Sequence, residues 1–160
     1  MTFRIDISIE RQRLFLVDQG KEINRTYSIS TSRYGVGEES GSFRTPRGRH
    51  IIRAKIGGNQ PINTVFVGRR PTGETFTERL KTSQPNRDWI LTRILWLSGT
   101  ELGVNRLGRV DTMRRYIYLH GSPDSVVMGT PGSIGCVRMR NRDILDLFDM
   151  VPAGTLVSIN

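Results

Sequence analysis

The chain contains one cysteine, Cys136, and two histidines, His50 and His120. A free thiol titrates near about 8.5, so only a small fraction is thiolate at neutral pH. A histidine beside it can take the proton and later return it to a leaving group. Cys136 sits in Ser133-Ile134-Gly135-Cys136, and His120 ends the apolar-aromatic run Tyr116-Ile117-Tyr118-Leu119 and is followed by Gly121. A glycine-rich loop separates the two and leaves them free to be neighbours in space. Gly135 lets the chain turn tightly, and the backbone N–H groups around Cys136 can then face an oxyanion. The residues also permit a plainer reading, in which the lone Cys is a small buried hydrophobe and the His a polar strand end. Ser133 is a nucleophile in principle, but no Gly-x-Ser-x-Gly elbow surrounds it. One Cys excludes an intrachain disulfide and a Cys-based zinc site, and two His exclude a three-His site, so no metal or cofactor is expected. Gly35-Val36-Gly37 lacks the spacing of a dinucleotide loop.

The elements that must position these groups are mostly strands. Residues 3–9 alternate Phe3, Ile5, Ile7 and Ile9 with Arg4, Asp6 and Ser8, a half-buried strand. Residues 14–17 and 23–29 flank the turn signal Asp18-Gln19-Gly20 and read as a hairpin. Residues 35–48 read as a long loop, and 49–56 and 64–68 as strands. Residues 68–88 have no clear period and are expected to form a functional flap, with 99–111 as a second segment over the cleft. Residues 89–97 and 116–120 are apolar and β-prone. His50 is expected to pack on a strand, and Trp89 and Trp96 to pack in the core or flap. One segment has helical spacing: Asn141 as N-cap, then Ile144, Leu145, Leu147, Phe148 and Val151, with Asp143 complementing the helix dipole. Pro152-Ala153-Gly154 stops it, and residues 156–159 form a last strand. The expected class is mainly β, a sandwich or barrel with one short helix after Cys136, in a single domain over residues 1–160.

The chain of 160 residues carries a net charge of +9, with 24 Lys+Arg against 15 Asp+Glu. Only Lys21, Lys55 and Lys81 are lysines; the other cations are arginines. Such an excess attracts anionic partners. A non-catalytic binder of nucleic acid or wall polymer is therefore an alternative class. Its cations would cluster with aromatics on one face, whereas here Arg is scattered from Arg4 to Arg142, so no nucleic acid is expected. No apolar run approaches the roughly 18 residues of a membrane span. Charges interrupt every amino-terminal window that a secretory signal needs, which suggests a cytoplasmic protein as the sequence stands, or an envelope protein if it was trimmed.

The local wording is more specific. The sequence resembles the L,D-transpeptidase catalytic domain, also called YkuD-like. The resemblance rests on Tyr116-Ile117-Tyr118-Leu119-His120-Gly121, Met128-Gly129-Thr130-Pro131 and Ser133-Ile134-Gly135-Cys136-Val137-Arg138-Met139-Arg140-Asn141. Gly41-Ser42-Phe43-Arg44-Thr45-Pro46-Arg47-Gly48 and Gly154-Thr155-Leu156-Val157 extend it over nearly the whole chain. The resemblance implies Cys136 as the acylated nucleophile and His120 as general base and acid. It implies the Gly121 carbonyl as the group orienting the ring, and the N–H groups of Gly135 and Cys136 as the oxyanion hole. Arg138 would hold a substrate carboxylate or pair structurally, and Ser133 and Ile134 would border the substrate. Many members carry His where Ile134 stands, so the base assignment rests on His120, and Ile134 changes the acceptor side of the cleft. The implied substrates are peptidoglycan stem peptides or muropeptides. Cleavage would fall between an L-centred diamino acid and terminal D-Ala. An amine acceptor makes the reaction transpeptidation; water makes it L,D-carboxypeptidation, as in murein recycling.

Overall fold

The computed structural model describes residues 2–160. Strands β1 (Phe3–Ser8) and β2 (Arg13–Asp18) pair antiparallel, with Ile5 opposite Leu16 and Ile7 opposite Leu14. All four of these side chains are fully buried, while Arg4 and Asp6 point outward and pair at 3.2 Å. The alternation is that of a sheet with one face in a core. Strand β3 (Ile23–Ser30) follows by the expected hairpin. Then come β4 (Gly48–Ile56), β5 (Thr64–Val67), β6 (Arg70–Thr75) and helix α1 (Glu78–Ser83). Strand β7 (Ile90–Gly99) precedes β8 (Tyr118–Ser122), β9 (Val137–Arg140), helix α2 (Asn141–Met150) and β10 (Leu156–Ile159).

The strands run in the order β4-β10-β1-β2-β3-β9-β8-β7-β5-β6, and β4 also pairs with β7. That extra pairing closes eight strands into a ring, so the structure is a barrel with the β5–β6 hairpin attached to its side. Closure leaves β4 without a free edge. The barrel interior holds Ile5, Ile7, Leu14, Leu16, Ile29, Ile52, Leu95, Leu97, Leu119, Val137, Met139, Val157 and Ile159. Helix α2 adds Ile144, Leu147 and Phe148 to this core, at the spacing the sequence shows. Lys55 Nζ donates to the Phe148 carbonyl at 2.6 Å, a cation at the negative end of the helix.

Two of the segments expected over the cleft gain detail, and one sequence expectation changes. Residues 68–88, expected as a flap, hold the turn of the β5–β6 hairpin, all of β6 and then α1, which is capped by Thr77 Oγ1 accepting from the Leu80 N–H at 3.1 Å. No α1 residue is buried, so its sequence has no apolar period to read. Within residues 99–111, Glu101 and Asn105 brace the start of β4 through Arg49 and the Arg47 carbonyl, and the Arg109 carbonyl accepts from the Ser40 N–H at 2.7 Å. Asn141 is not an N-cap. It is the first residue of α2, and its buried amide accepts from Thr92 Oγ1 at 2.6 Å and donates to Asn63 Oδ1 at 3.0 Å and Asp124 Oδ1 at 3.4 Å. This cross-link ties the helix start to the bulge in β7 and to two loops.

The two roles of Asn141 separate experimentally. Asn141→Ser keeps a capping hydroxyl but is too short to reach Asn63 and Asp124. It is expected to cost about 1–3 kcal/mol, read as a lower urea midpoint at unchanged slope. Unchanged stability would return Asn141 to a capping role.

Candidate active site

Parallel pairing of β8 with β9 assembles the candidate residues. Its register sets Leu119 against Val137 and His120 against Arg138. Leu119 and Val137 face the barrel interior, so period-2 alternation turns Tyr118 and His120, and across from them Cys136 and Arg138, to the outside. Trp96 and Ile94 of β7 continue this outer face, paired with Tyr118 and His120. Phe66 of the side hairpin packs over Ile94 and Tyr118, and Cys136 packs against the same cluster. The chemistry therefore lies between the barrel wall and the β5–β6 hairpin.

Cys136 is half-buried, and its sulfur is held by two backbone groups, one from β8 and one from the turn before it. The Tyr118 N–H donates to Sγ at 3.3 Å, and the thiol donates to the Tyr116 carbonyl at 3.4 Å. His120 is 1% exposed, and its Nδ1 lies 2.6 Å from the Gly121 carbonyl. A carbonyl only accepts, so Nδ1 carries the hydrogen and Nε2 is the basic nitrogen. Gly121 has no room for a side chain: a Cβ would lie 2.4 Å from Asn141 Oδ1 and 2.6 Å from the Leu91 carbonyl. The residue that orients the imidazole is thus fixed by close packing on β7 and α2.

The loop before β9 is knitted from inside. Gly135 has φ +137°, a conformation that favours glycine, and a Cβ there would meet Ile117 Cδ1 at 3.3 Å. Ser133 is 2% exposed; its hydroxyl donates to the Cys136 carbonyl at 2.6 Å and accepts from the Gly135 N–H at 3.2 Å. It thereby shapes the loop from within. Thr45 Oγ1 donates to the Gly135 carbonyl at 2.9 Å, which ties the Thr45-Pro46 segment to the cysteine loop. The Cys136 N–H has no acceptor among the described residues. Ile134 is exposed and borders a cavity of about 210 Å³ with Phe43, Arg115 and Ile117.

Electrostatics keep the pair neutral at rest. Burial pushes the Cys136 thiol up to about 12, and the negative charge of Asp88 adds to the rise. The Tyr118 N–H, Arg138 and Arg115 oppose it without offsetting it. Burial lowers the His120 pKa, with Asp88 and the Gly121 carbonyl acting the other way and Arg138 adding to the fall. The resting site is therefore thiol and imidazole, not thiolate and imidazolium. Arg138 pairs with Asp88 at 3.6 Å. Asp88 and Arg115 carried no signal in the sequence, since each lies outside any motif and reaches the site only through the fold. Arg115 pins the loop of residues 37–44, donating to the carbonyls of Gly37 at 3.1 Å and Arg44 at 2.6 Å. His50 stands apart, fully buried and bonded to Thr112 Oγ1 at 2.9 Å. Among the described residues no cluster of His, Cys, Asp or Glu is arranged to hold a metal, and no helix is long and apolar enough to cross a membrane.

The family model for the L,D-transpeptidase catalytic domain, YkuD, matches residues 2–159, and the chain belongs to that family. The YkuD proteins of Bacillus subtilis and Bacillus licheniformis are 38% and 44% identical over 47 and 46 residues. Each match covers 29% of this chain, and 29% and 28% of the respective relative. Among solved structures, the L,D-transpeptidase of Xylanimonas cellulosilytica is 21% identical with a TM-score of 0.56, over 99% of this chain and 60% of that one. L,D-transpeptidase 3 of Mycobacterium tuberculosis is 13% identical with a TM-score of 0.60, over 99% and 61%. These likenesses show the fold; the chain spans about three-fifths of the length of those structures.

A thiol raised this far forms thiolate only in strongly alkaline solution. Alkylation of Cys136 by iodoacetamide should therefore rise about tenfold per pH unit from about pH 7 to pH 10, followed by mass spectrometry. A plateau near about pH 8 would show an ordinary or activated thiol.

Proposed function

We propose that this domain is a cysteine acyltransferase acting on peptidoglycan stem peptides, an L,D-transpeptidase. The observation that carries the reading is the pairing on one outer face of a sulfur held between Tyr116 and Tyr118 and an imidazole whose Nδ1–H is committed to Gly121. Neither group ionises readily alone, so His120 Nε2 takes the thiol proton as Sγ attacks. The attacked carbonyl belongs to an L-centred diamino acid preceding a terminal D-Ala. The free Cys136 N–H, joined by the Gly135 N–H on release from Ser133 Oγ, holds the oxyanion. The imidazolium returns its proton to the D-Ala nitrogen as the C–N bond breaks, leaving a thioester on Cys136. An amine acceptor then yields a cross-link or an exchanged peptide. The exposed Ile134 side of the cleft, open beside Phe43 and Arg115, is the acceptor side in this reading. An amine acceptor places the reaction at the cell wall; water as acceptor would make the enzyme an L,D-carboxypeptidase on soluble muropeptides.

The alternative of a basic binding module fits the surface poorly. Arg4, Arg47, Arg49, Arg87 and Arg138 are each paired with a carboxylate on different parts of the barrel, which does not build a single cationic face.

The decisive assay incubates the protein with a disaccharide tetrapeptide, with and without a second D-amino acid, and follows masses. Exchange of D-Ala for the added amino acid is expected, with no product from Cys136→Ala and a drop of about 100-fold or more for His120→Ala. Loss of D-Ala without exchange would assign water as the acceptor. Full activity in Cys136→Ala would remove the nucleophile assignment.

A further inference from the structure

The β5–β6 hairpin turns through Gly68 and Arg69, both left-handed, with φ +54° and +65°, between the paired residues Val67 and Arg70. This is the geometry of a two-residue hairpin turn that Gly or Asn adopts without strain. Arginine is not selected here by the turn, and its side chain does something else. The guanidinium lies 4.6 Å from the ring centre of Tyr116 and 5.0 Å from that of Trp96, and Nη1 donates to the Tyr118 hydroxyl at 3.1 Å. Trp96 in turn packs on both tyrosines, 6.0 Å from Tyr116 and 5.9 Å from Tyr118. Tyr116 is itself left-handed, with φ +57°.

Three aromatic side chains thus aim one cation. Among the described residues no carboxylate lies within ion-pair distance of Arg69, and its remaining N–H groups have no acceptor. A guanidinium presents five donors, so most of its fork is unspent. The same two tyrosines touch the sulfur: Tyr118 through its N–H and Tyr116 through its carbonyl. One tyrosine side chain therefore spans the gap between Arg69 and the level of Cys136.

The direction along β8 assigns the ligand. Cys136 stands beside Tyr118, with His120 and Arg138 on one side of it and Tyr116 with Arg69 on the other. His120 protonates the departing amine, so the leaving D-Ala lies toward His120. The acyl portion lies toward Tyr116. We propose that Arg69 is a specificity-determining residue that pairs with a side-chain carboxylate on the acyl-donating diamino acid, selecting donors that carry it over donors that lack it. The proposal rests on the transpeptidase reading of the same site.

Two tetrapeptide donors test it, one with the diamino acid's side-chain carboxylate free and one with it as a primary amide. The wild-type protein is expected to favour the free acid by about 10- to 100-fold in kcat/KM, the range of a charge-assisted hydrogen bond. Arg69→Asn suits the turn and removes the charge; it should erase that preference by slowing the acid donor alone. An unchanged preference in Arg69→Asn, or equal slowing of both donors, overturns the proposal and leaves Arg69 a packing residue. If neither donor is turned over, the transpeptidase reading fails, and Cys136 alkylation still decides the electrostatic part. The iodoacetate-to-iodoacetamide rate ratio should then fall several-fold in Arg69→Asn, and an unchanged ratio overturns the assignment.

Discussion

The parallel pairing of β8 with β9 is the constraint on which the site depends. It sets Cys136 beside Tyr118 and His120 beside Arg138, and it turns all four to the outer face of the barrel. A parallel pair cannot be joined by a tight hairpin, so the chain must leave β8 and return by a long connection. That connection is residues 123–136, and its last turn delivers the cysteine. The fit is tight from both sides. Gly121 leaves no space for a Cβ against Asn141 and β7, and Gly135 adopts a backbone conformation that other residues resist. The buried hydroxyls of Ser133 and Thr45 occupy the loop's polar groups, so the turn does not need water to satisfy them.

The same placement explains the electrostatics. Hairpin β5–β6 covers the outer face, and burial disfavours charge on both the thiol and the imidazole. A neutral pair is the ground state that burial favours. In the proposed reaction it becomes reactive when a bound carbonyl lets proton transfer and C–S bond formation occur together. Asp88 and Arg138, paired beside the two groups, act on them with opposite signs. Removing either partner alone would therefore shift the balance.

Much of this was legible in the chain. The alternation of β1, the hairpin to β3, the period of α2 and the last strand follow from local apolar spacing, because each buries one face. The Cys136 and His120 motif carried its own local wording. Barrel closure was not legible, since the β4–β7 pairing joins segments far apart and leaves no mark on local spacing. Helix α1 lay hidden because only Leu80 packs, and partly, against the core. Asn141 at the start of an apolar period looks like a cap, and only the bulge at Thr92 turns it into a cross-link. Asp88 and Arg69 were silent for a different reason. Their roles depend on partners brought by the fold, and a lone charge in a polar stretch carries no pattern.

The central claim is that His120 rests neutral, with its proton on Nδ1 toward Gly121, beside a protonated thiol. Nitrogen-15 NMR of the imidazole, followed through a pH titration, tests it most directly. A neutral ring protonated at Nδ1 is expected at neutral pH, gaining charge only below the ordinary histidine range of about 6.5. A doubly protonated ring at neutral pH that loses its charge when Cys136 is replaced by Ala would reveal a resting ion pair and contradict it.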